Sequence, residues 1–187
     1  MRLTGGLDRG RKLRAPRGGQ TRPTAAKVRE AIFNILGPPP GGAVLDLYAG
    51  TGALGIEALS RGASRAVFVE RDHQALVALR RNIKELGFED RASVMGGDAC
   101  SALRRLEGAE DRFSWVFLDP PYVKETEGVL AEIGGRELLE PCAVVIVEHD
   151  RRNRPPGDAG SSVGGLFLTD RRHYGDTELS FYRCSGS

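Results

Sequence analysis

Short apolar segments recur along this chain in the pattern of a protein that alternates strands with helices. Unbroken apolar runs, typical of strands buried on both faces, alternate with amphipathic segments of helical period. Strands are predicted near residues 43–47, 65–70, 91–96, 113–119 and 142–148, and helices near 25–36, 53–61, 73–87, 100–106 and 125–133. Because strand-helix alternation with short connections produces right-handed crossovers, we expect a parallel sheet with helices on both faces.

The pattern changes after residue 148. Residues 150–165 are rich in Arg, Pro, Gly and Ser, which predicts a loop. Two more strands are predicted near 166–172 and 177–184, joined by a turn at residues 174–176. A hairpin cannot make a crossover, so one of its strands should run antiparallel to the others. The expectation is an α/β, Rossmann-like, mostly parallel sheet of seven strands that ends in an antiparallel hairpin.

The N-terminal segment differs from the rest in charge. Between Met1 and Arg29 there are nine basic residues and one acid, although the whole chain carries a net charge of only +2. A helix predicted near 25–36 follows this arm, and the run of prolines and glycines at 38–42 ends it. We therefore predict a basic arm and helix at 1–40 and a catalytic domain at 41–187. An arm of this charge favours a polyanionic partner, and its spaced leucines favour a docked arm over a solvated tail.

Composition narrows the cellular compartments in which the protein is expected. No apolar run approaches the roughly twenty residues needed to span a bilayer, and we expect no signal peptide. The three cysteines are far apart, which favours a reducing, cytoplasmic setting over a disulfide framework. The three histidines lack companions at ligand spacing, so no metal is predicted.

A glycine-rich turn follows the first strand, and an acid lies at the end of each of the first three strands. Gly50 and Gly52 lie in the turn, and the run from Gly50 also fits a dinucleotide fingerprint. Asp46, Glu70 and Asp98 lie at three successive strand ends, suited to an amino group, two ribose hydroxyls and an adenine amine. That layout favours S-adenosylmethionine over NAD. The predicted cofactor-binding residues are Asp46, Tyr48, Ala49, Gly50, Gly52, Glu70, Arg71, Asp98 and Ala99.

The tetrapeptide Asp119-Pro120-Pro121-Tyr122 follows the fourth strand and is the predicted catalytic element. An exocyclic amine of a nucleobase is a poor nucleophile, because its lone pair is delocalised into the ring. The Asp119 carboxylate and the Pro120 carbonyl can each accept one N–H and so orient that amine. Tyr122 can stack on the base face, which contributes about 1–3 kcal/mol. A base within a duplex must be flipped or presented by a loop to reach such a site.

Four features carry a resemblance to a known family: the run DLYAGTGALGIEALSRGA, the Glu70 strand end, the DPPY tetrapeptide and the segment RPTAAKVREAIFNIL. By these features the chain resembles the RsmD-type family of ribosomal RNA guanine-(2-amino) methyltransferases. The resemblance covers nearly the whole chain and ends with YGDTELSFY; the loop at 150–165 departs from it. It implies a class I methyltransferase sheet, S-adenosylmethionine as methyl donor, and small-subunit ribosomal RNA or an assembling small subunit as partner. A monomer is expected.

The basic arm and the following helix supply the predicted RNA contacts, which are Arg11, Lys12, Arg22, Thr24 and Arg29. Phosphate contacts of this kind position an RNA without selecting a base. Three alternatives stay open: an adenine-(6-amino) DNA methyltransferase, an NAD-dependent oxidoreductase, and a noncatalytic RNA-binding module on the same fold.

Overall fold

The computed structural model describes residues 1–15, 23–108, 112–120, 123–152, 155 and 160–184, with backbone alone at 23–25 and 123–125. Five helices are described: α1 Pro23–Leu36, α2 Ala53–Ser60, α3 His73–Leu86, α4 Ala99–Leu106 and α5 Val123–Gly134. Eight strands are described: β1 Ala43–Leu47, β2 Arg65–Glu70, β3 Ala92–Gly96, β4 Phe113–Leu118, β5 Leu139–Asp150, β6 Ser162–Val163, β7 Leu166–Tyr174 and β8 Thr177–Cys184. Within these residues no helix is long and apolar enough to cross a membrane.

The strands form one sheet in the order β3-β2-β1-β4-β5-β8-β7-β6. The first five are mutually parallel, whereas β8 runs antiparallel to both β5 and β7. This arrangement confirms the predicted Rossmann-like sheet with its antiparallel terminal hairpin. One strand was not predicted: β6 has two residues and pairs with β7 inside the segment predicted to be a loop.

The central strands are buried on both faces, as their unbroken apolar runs predict. All residues of β1 and β4 are buried, and Leu45 and Phe117 have no exposed surface. Side chains alternate between two cores along each strand. Trp115 and Phe117 of β4 join the core beneath the arm, α1, α2 and α3, while Val116 and Leu118 join the core beneath α4 and α5.

Helix α1 crosses the sheet from its carboxyl edge to its amino edge. The Phe33 ring lies 6.0 Å from the Trp115 ring and 5.9 Å from the Phe117 ring, between centroids. One turn earlier in α1, Arg29 is close enough to Glu148 for its charge to act on the pKa of that carboxyl, in the lowering direction. Glu148 lies near the carboxyl end of β5. Leu36, at the other end of α1, lines a surface cleft with Trp115 at the amino edge. The helix therefore begins at the edge where the β1, β2 and β4 strands end.

The N-terminal arm, residues 1–15, is docked on α2 rather than extended into solvent. Leu3 and Leu13 are buried in the core that α1, α2 and α3 share. The arm folds back on itself through an antiparallel bridge between Arg2 and Lys12. The backbone N–H of Thr4 donates to both carboxylate oxygens of Glu57, at 3.0 and 2.9 Å.

The structure corrects one predicted RNA contact. Arg29 is 3% exposed, and its Nε donates to Glu57 Oε2 at 3.1 Å. Its remaining nitrogens donate to the Arg2 carbonyl and to Met1 Sδ. A guanidinium enclosed in this way cannot reach an RNA phosphate, so the prediction for Arg29 is wrong, and the residue fastens the arm to α1 and α2.

Candidate functional site

A cleft of about 290 Å³ opens at the carboxyl edge of the sheet. It lies where the ends of β2 and β3 meet the turn after β1, which is where open parallel sheets bind ligands. The residues that line it are Tyr48, Val69, Glu70, Arg71, Gly97, Asp98, Ala99, Cys100, Gly128 and Val129. Five predicted cofactor residues are among them: Tyr48, Glu70, Arg71, Asp98 and Ala99. Gly128 and Val129 come from α5, a contribution that the sequence reading missed.

The turn after β1 takes backbone conformations that L side chains rarely adopt. Tyr48, Gly50 and Gly52 have φ values of 61°, 55° and 80°. A Cβ on Gly52 would lie 2.3 Å from Leu79 Cδ1, so this glycine also permits close packing on α3. Tyr48 is not a glycine, and a positive φ in such a residue costs on the order of 1–3 kcal/mol and is concentrated at functional sites.

Glu70, which ends β2, holds the turn in place. One carboxylate oxygen accepts the Gly50 N–H at 2.7 Å, and the other accepts the N–H groups of Arg71 and Asp72, each at 2.7 Å. These bonds fix the carboxylate at the wall of the cleft. A carboxylate has about four lone-pair positions, and three of them are used here, so Glu70 can accept one further donor, such as a hydroxyl.

Asp98, which follows β3, also lines the cleft and caps helix α4. Its Oδ1 accepts the Ser101 N–H at 2.9 Å. This hydrogen bond lowers the pKa of Asp98, and the Arg104 charge acts in the same direction. Asp98 is therefore an ionised acceptor beside the cleft at neutral pH.

Asp46 differs from the other two acids, because it is enclosed. It is 3% exposed, and its Oδ2 accepts the Gly55 N–H at 2.9 Å. Burial raises the pKa of Asp46 to about 8; the Gly55 hydrogen bond opposes this rise, and the Asp119 and Glu70 charges add to it. Four predicted cofactor residues do not line the cleft but belong to β1 and the adjoining turn: Asp46, Ala49, Gly50 and Gly52. Their cofactor contacts stay predictions.

Asp119 follows β4 and is exposed at the same edge. It is close enough to Asp46 and to Glu148 to raise the pKa of both carboxyls. Glu148 was not among the predicted site residues, although the rule that selected Asp46, an acid at the end of an apolar strand, applies to it equally. Burial raises the pKa of Glu148 to about 7, and the Asp119 charge adds to this effect while Arg29 opposes it.

The remaining predicted residues divide by position. Pro120 is partly buried beside Asp119. Pro121, Tyr122 and Arg22 lie outside the described residues, as does the side chain of Thr24. Arg11 and Lys12 are exposed on the arm, where Arg11 NH1 donates to Asp8 at 2.8 Å. The arm thus presents cations and Leu7 to solvent, while Leu3 and Leu13 face inward.

Comparisons with known proteins cover the whole of this architecture. A model of the family described as Conserved hypothetical protein 95 matches residues 1–183. The chain is 41% identical over 188 residues to "Putative rRNA methyltransferase YlbH" of Bacillus subtilis (strain 168), with 100% of both chains covered. It is 38% identical over 161 residues to "Ribosomal RNA small subunit methyltransferase D" of Escherichia coli (strain K12), covering 83% of this chain and 78% of the relative.

A solved structure agrees at the level of the fold. The chain superposes on the structure described as "Putative methyltransferase yhhF from Escherichia coli" with a TM-score of 0.82 at 32% identity. That superposition covers 100% of this chain and 99% of the other. The similarity therefore extends over the arm, the sheet and the terminal hairpin together.

Proposed function

We propose, because the chain belongs to the RsmD-type family described as Conserved hypothetical protein 95, that it transfers a methyl group from S-adenosylmethionine to the 2-amino group of a guanine in small-subunit ribosomal RNA. The family membership confirms the resemblance read from the sequence. Relatives named as ribosomal RNA small subunit methyltransferase D support the rRNA substrate. The methyl donor is inferred from the chemistry of the site, and the guanine from the resemblance to the RsmD-type family.

The hydrogen-bond acceptors and apolar side chains of the cleft suit an adenosyl cofactor. The Glu70 carboxylate, held by three backbone N–H groups, would accept a ribose hydroxyl through Oε2, the oxygen that takes only one of these bonds. Asp98 is ionised and would accept the adenine amine, with Ala99 and Val129 as apolar walls. Gly50 leaves open space, since no heavy atom lies within 4 Å of a Cβ placed there. When bound, the group supplies an electrophilic methyl on a sulfonium centre.

One observation carries the proposal: the Asp119 carboxylate lies at the same strand edge as the cleft, within electrostatic reach of Asp46 in β1. The motif that would orient an amine is thus next to the turn that would hold the cofactor. Asp119 and the Pro120 carbonyl would each accept one N–H of the amine. The amine lone pair then points out of the ring plane, towards the cofactor side of the site.

Orientation of this kind supplies much of the rate enhancement available to the site. The methyl acceptor is neutral and weakly nucleophilic, so alignment of its lone pair with the methyl group is the step that the residues can promote. Fixing two reactants in near-attack geometry can lower a barrier by several kcal/mol. Hydrogen bonds from the amine to carboxylate and carbonyl oxygens also increase electron density on nitrogen as the new bond forms.

The arm would hold the RNA. Arg9, Arg11 and Lys12 are exposed on a segment that Leu3 and Leu13 fasten to the core, so their charges are presented from a fixed surface. Cations placed in this way position phosphates and make binding depend strongly on salt. A division into an RNA-contacting segment at 1–40 and a catalytic domain at 41–187 follows from this proposal, as do cytoplasmic location and action as a monomer.

Nucleoside analysis tests the proposed function directly. Small-subunit ribosomal RNA, assembled small subunits and duplex DNA are each incubated with the protein and S-adenosylmethionine carrying a labelled methyl group. The proposal expects the label in N2-methylguanosine from one of the RNA samples. Label in N6-methyladenine from DNA would favour the adenine-directed alternative, and no label in any sample would favour a noncatalytic RNA-binding module.

A further inference from the structure

Glu148 and Asp119 are neighbours across the β4–β5 pair. In the parallel register Leu118 pairs with Val147, so the next residues, Asp119 and Glu148, adjoin one another. Adjacent strands lie about 4.8 Å apart. The alternation along β5 places Glu148 on the same face as Ile146, and Asp119 continues the face of Phe117; both apolar residues belong to the core beneath α1. Two carboxyl groups thus leave the same edge of the sheet on one side.

The Glu148 carboxyl is not satisfied by the structure around it. Arg29 is the nearby cation, but each of its three nitrogens donates elsewhere, to Glu57, Met1 and Arg2. Across the part of the chain that the structure describes, no hydrogen bond or ion pair reaches the Glu148 side chain. Glu148 is partly exposed at the strand end. A carboxyl that is desolvated, accessible and without a donor is suited to accept one from a ligand.

The two candidate acceptor bases differ at the atom next to the reacting amine. Guanine carries N1–H beside its 2-amino group, so this part of its edge presents donors at two adjacent positions. Adenine carries an N1 lone pair beside its 6-amino group, so it presents a donor and then an acceptor. Above its raised pKa of about 7 the Glu148 carboxyl is ionised, and in that form it attracts N1–H of guanine and repels the N1 lone pair of adenine.

From this arrangement we infer that Glu148 is a specificity residue, which accepts the N1–H of the guanine whose 2-amino group is held at Asp119. The inference rests on the proposed function and deepens it, because it assigns the choice of guanine over adenine to one side chain. Asp119 orients the amine, and Glu148 reads the neighbouring ring nitrogen. The two contacts together fix the base in its plane.

A substrate change combined with a residue change tests this assignment. After the methylated nucleotide is mapped, small-subunit ribosomal RNA is prepared by ligation with either guanine or 2-aminopurine at that position. The analogue 2-aminopurine keeps the 2-amino group but replaces N1–H with a lone pair. At about pH 8.5, where Glu148 is mostly ionised, we expect the wild-type protein to prefer guanine. Glu148→Gln should reduce that preference in kcat/KM by about tenfold to a hundredfold, since it replaces a charged acceptor with a neutral amide.

Two further variants make the result specific. Glu148→Asp keeps the charge and should retain the preference for guanine at a lower rate, which also covers the case that Glu148→Gln does not fold. Glu140→Gln makes the same chemical change at the other end of β5 and should leave both rates unchanged.

The outcomes separate the two levels of inference. One outcome is that wild-type protein methylates guanine, but Glu148→Gln lowers kcat/KM for both substrates by the same factor or for neither. Glu148 then has no part in base selection, and the proposed function stands. If Glu148→Asp abolishes the preference, the role of the charge is contradicted. If wild-type protein forms no methylguanine at all, the proposed function falls and this assignment falls with it.

Discussion

Arg29 and Glu57 form a salt bridge in the interior, with 3.1 Å between Nε and Oε2 and with side chains that are 3% and 0% exposed. The same carboxylate accepts hydrogen bonds from Thr4 and from Arg61. The arm, α1 and α2 therefore converge on one buried charge. This network fixes the position of the arm relative to the strand edge where the candidate site lies.

Loss of the Glu57 charge should destabilise the fold strongly. In Glu57→Gln the Arg29 guanidinium stays buried without its counter-ion, and breaking a buried pair in this way costs about 3–5 kcal/mol. Urea denaturation monitored by circular dichroism measures the change in the free energy of unfolding. Glu85→Gln is the matched control, because Glu85 pairs with Arg14 and Arg81 at the surface and its loss should cost much less. Equal losses for the two variants would show that the interior network is no stronger than a surface one.

Stability should fall as the pH rises from about 4 to about 8. Burial raises the folded pKa of Asp46 to about 8 and that of Glu148 to about 7, with Asp119 adding to both and with Arg29 opposing at Glu148. Between these values and the unfolded values of 3.8 and 4.5 the folded chain keeps protons that the unfolded chain has released. The contribution to stability is therefore complete below about pH 4 and is lost as the pH passes the folded values.

Asp46→Asn provides the measurement of that effect. The amide oxygen can still accept the Gly55 N–H but does not titrate. Between pH 5.5 and 8.5, wild-type protein should lose on the order of a few kcal/mol more unfolding free energy than this variant. Asp90→Asn, an exposed control, should follow the wild-type slope. If Asp46→Asn also follows the wild-type slope, Asp46 is already ionised in the folded protein at neutral pH.

Substitution of Glu70 should weaken cofactor binding. Glu70→Ala removes the proposed acceptor for a ribose hydroxyl and also the acceptor for the Gly50 N–H. We expect the affinity for S-adenosylhomocysteine, measured by calorimetry, to fall by about tenfold to a hundredfold. Glu137→Gln, at an exposed site away from the cleft, should bind as the wild type does. Unchanged binding by Glu70→Ala would place the cofactor elsewhere.

The arm should contribute the salt dependence of RNA binding. Arg9→Ala together with Lys12→Ala removes two exposed cations of the arm. If both contact phosphates, the slope of log affinity against log salt should shrink by about 0.7–0.9 for each residue. Cofactor affinity should not change. Arg105→Ala, an exposed cation on α4 across the sheet, is the control; an equal effect from it would indicate diffuse attraction rather than binding along the arm.

The parallel strands and the acids at the cleft follow from local rules that operate on sequence alone. Apolar runs of strand length gave the five parallel strands, and the rule that ligands bind at carboxyl edges selected Glu70 and Asp98, both of which line the cleft. The strand β6 was missed because two residues leave no periodicity to detect.

Burial and long-range contacts account for the errors. Arg29 lies in a basic stretch that looks uniform in sequence, and only the packing of α1 on α2 separates it from the exposed cations of the arm. Gly128 and Val129 reach the cleft through the placement of α5, which no local pattern specifies. The same applies to Asp46, whose enclosure depends on Gly55 from the next helix.

The central claim is that Asp119 holds the amine that receives the methyl group. Single-turnover methyl transfer to small-subunit ribosomal RNA, measured for wild-type protein and Asp119→Ala at saturating cofactor, tests it most directly. Misplacement of the amine should lower the transfer rate by about a hundredfold or more, while S-adenosylhomocysteine binds with wild-type affinity. A variant that transfers methyl groups at the wild-type rate would contradict the claim.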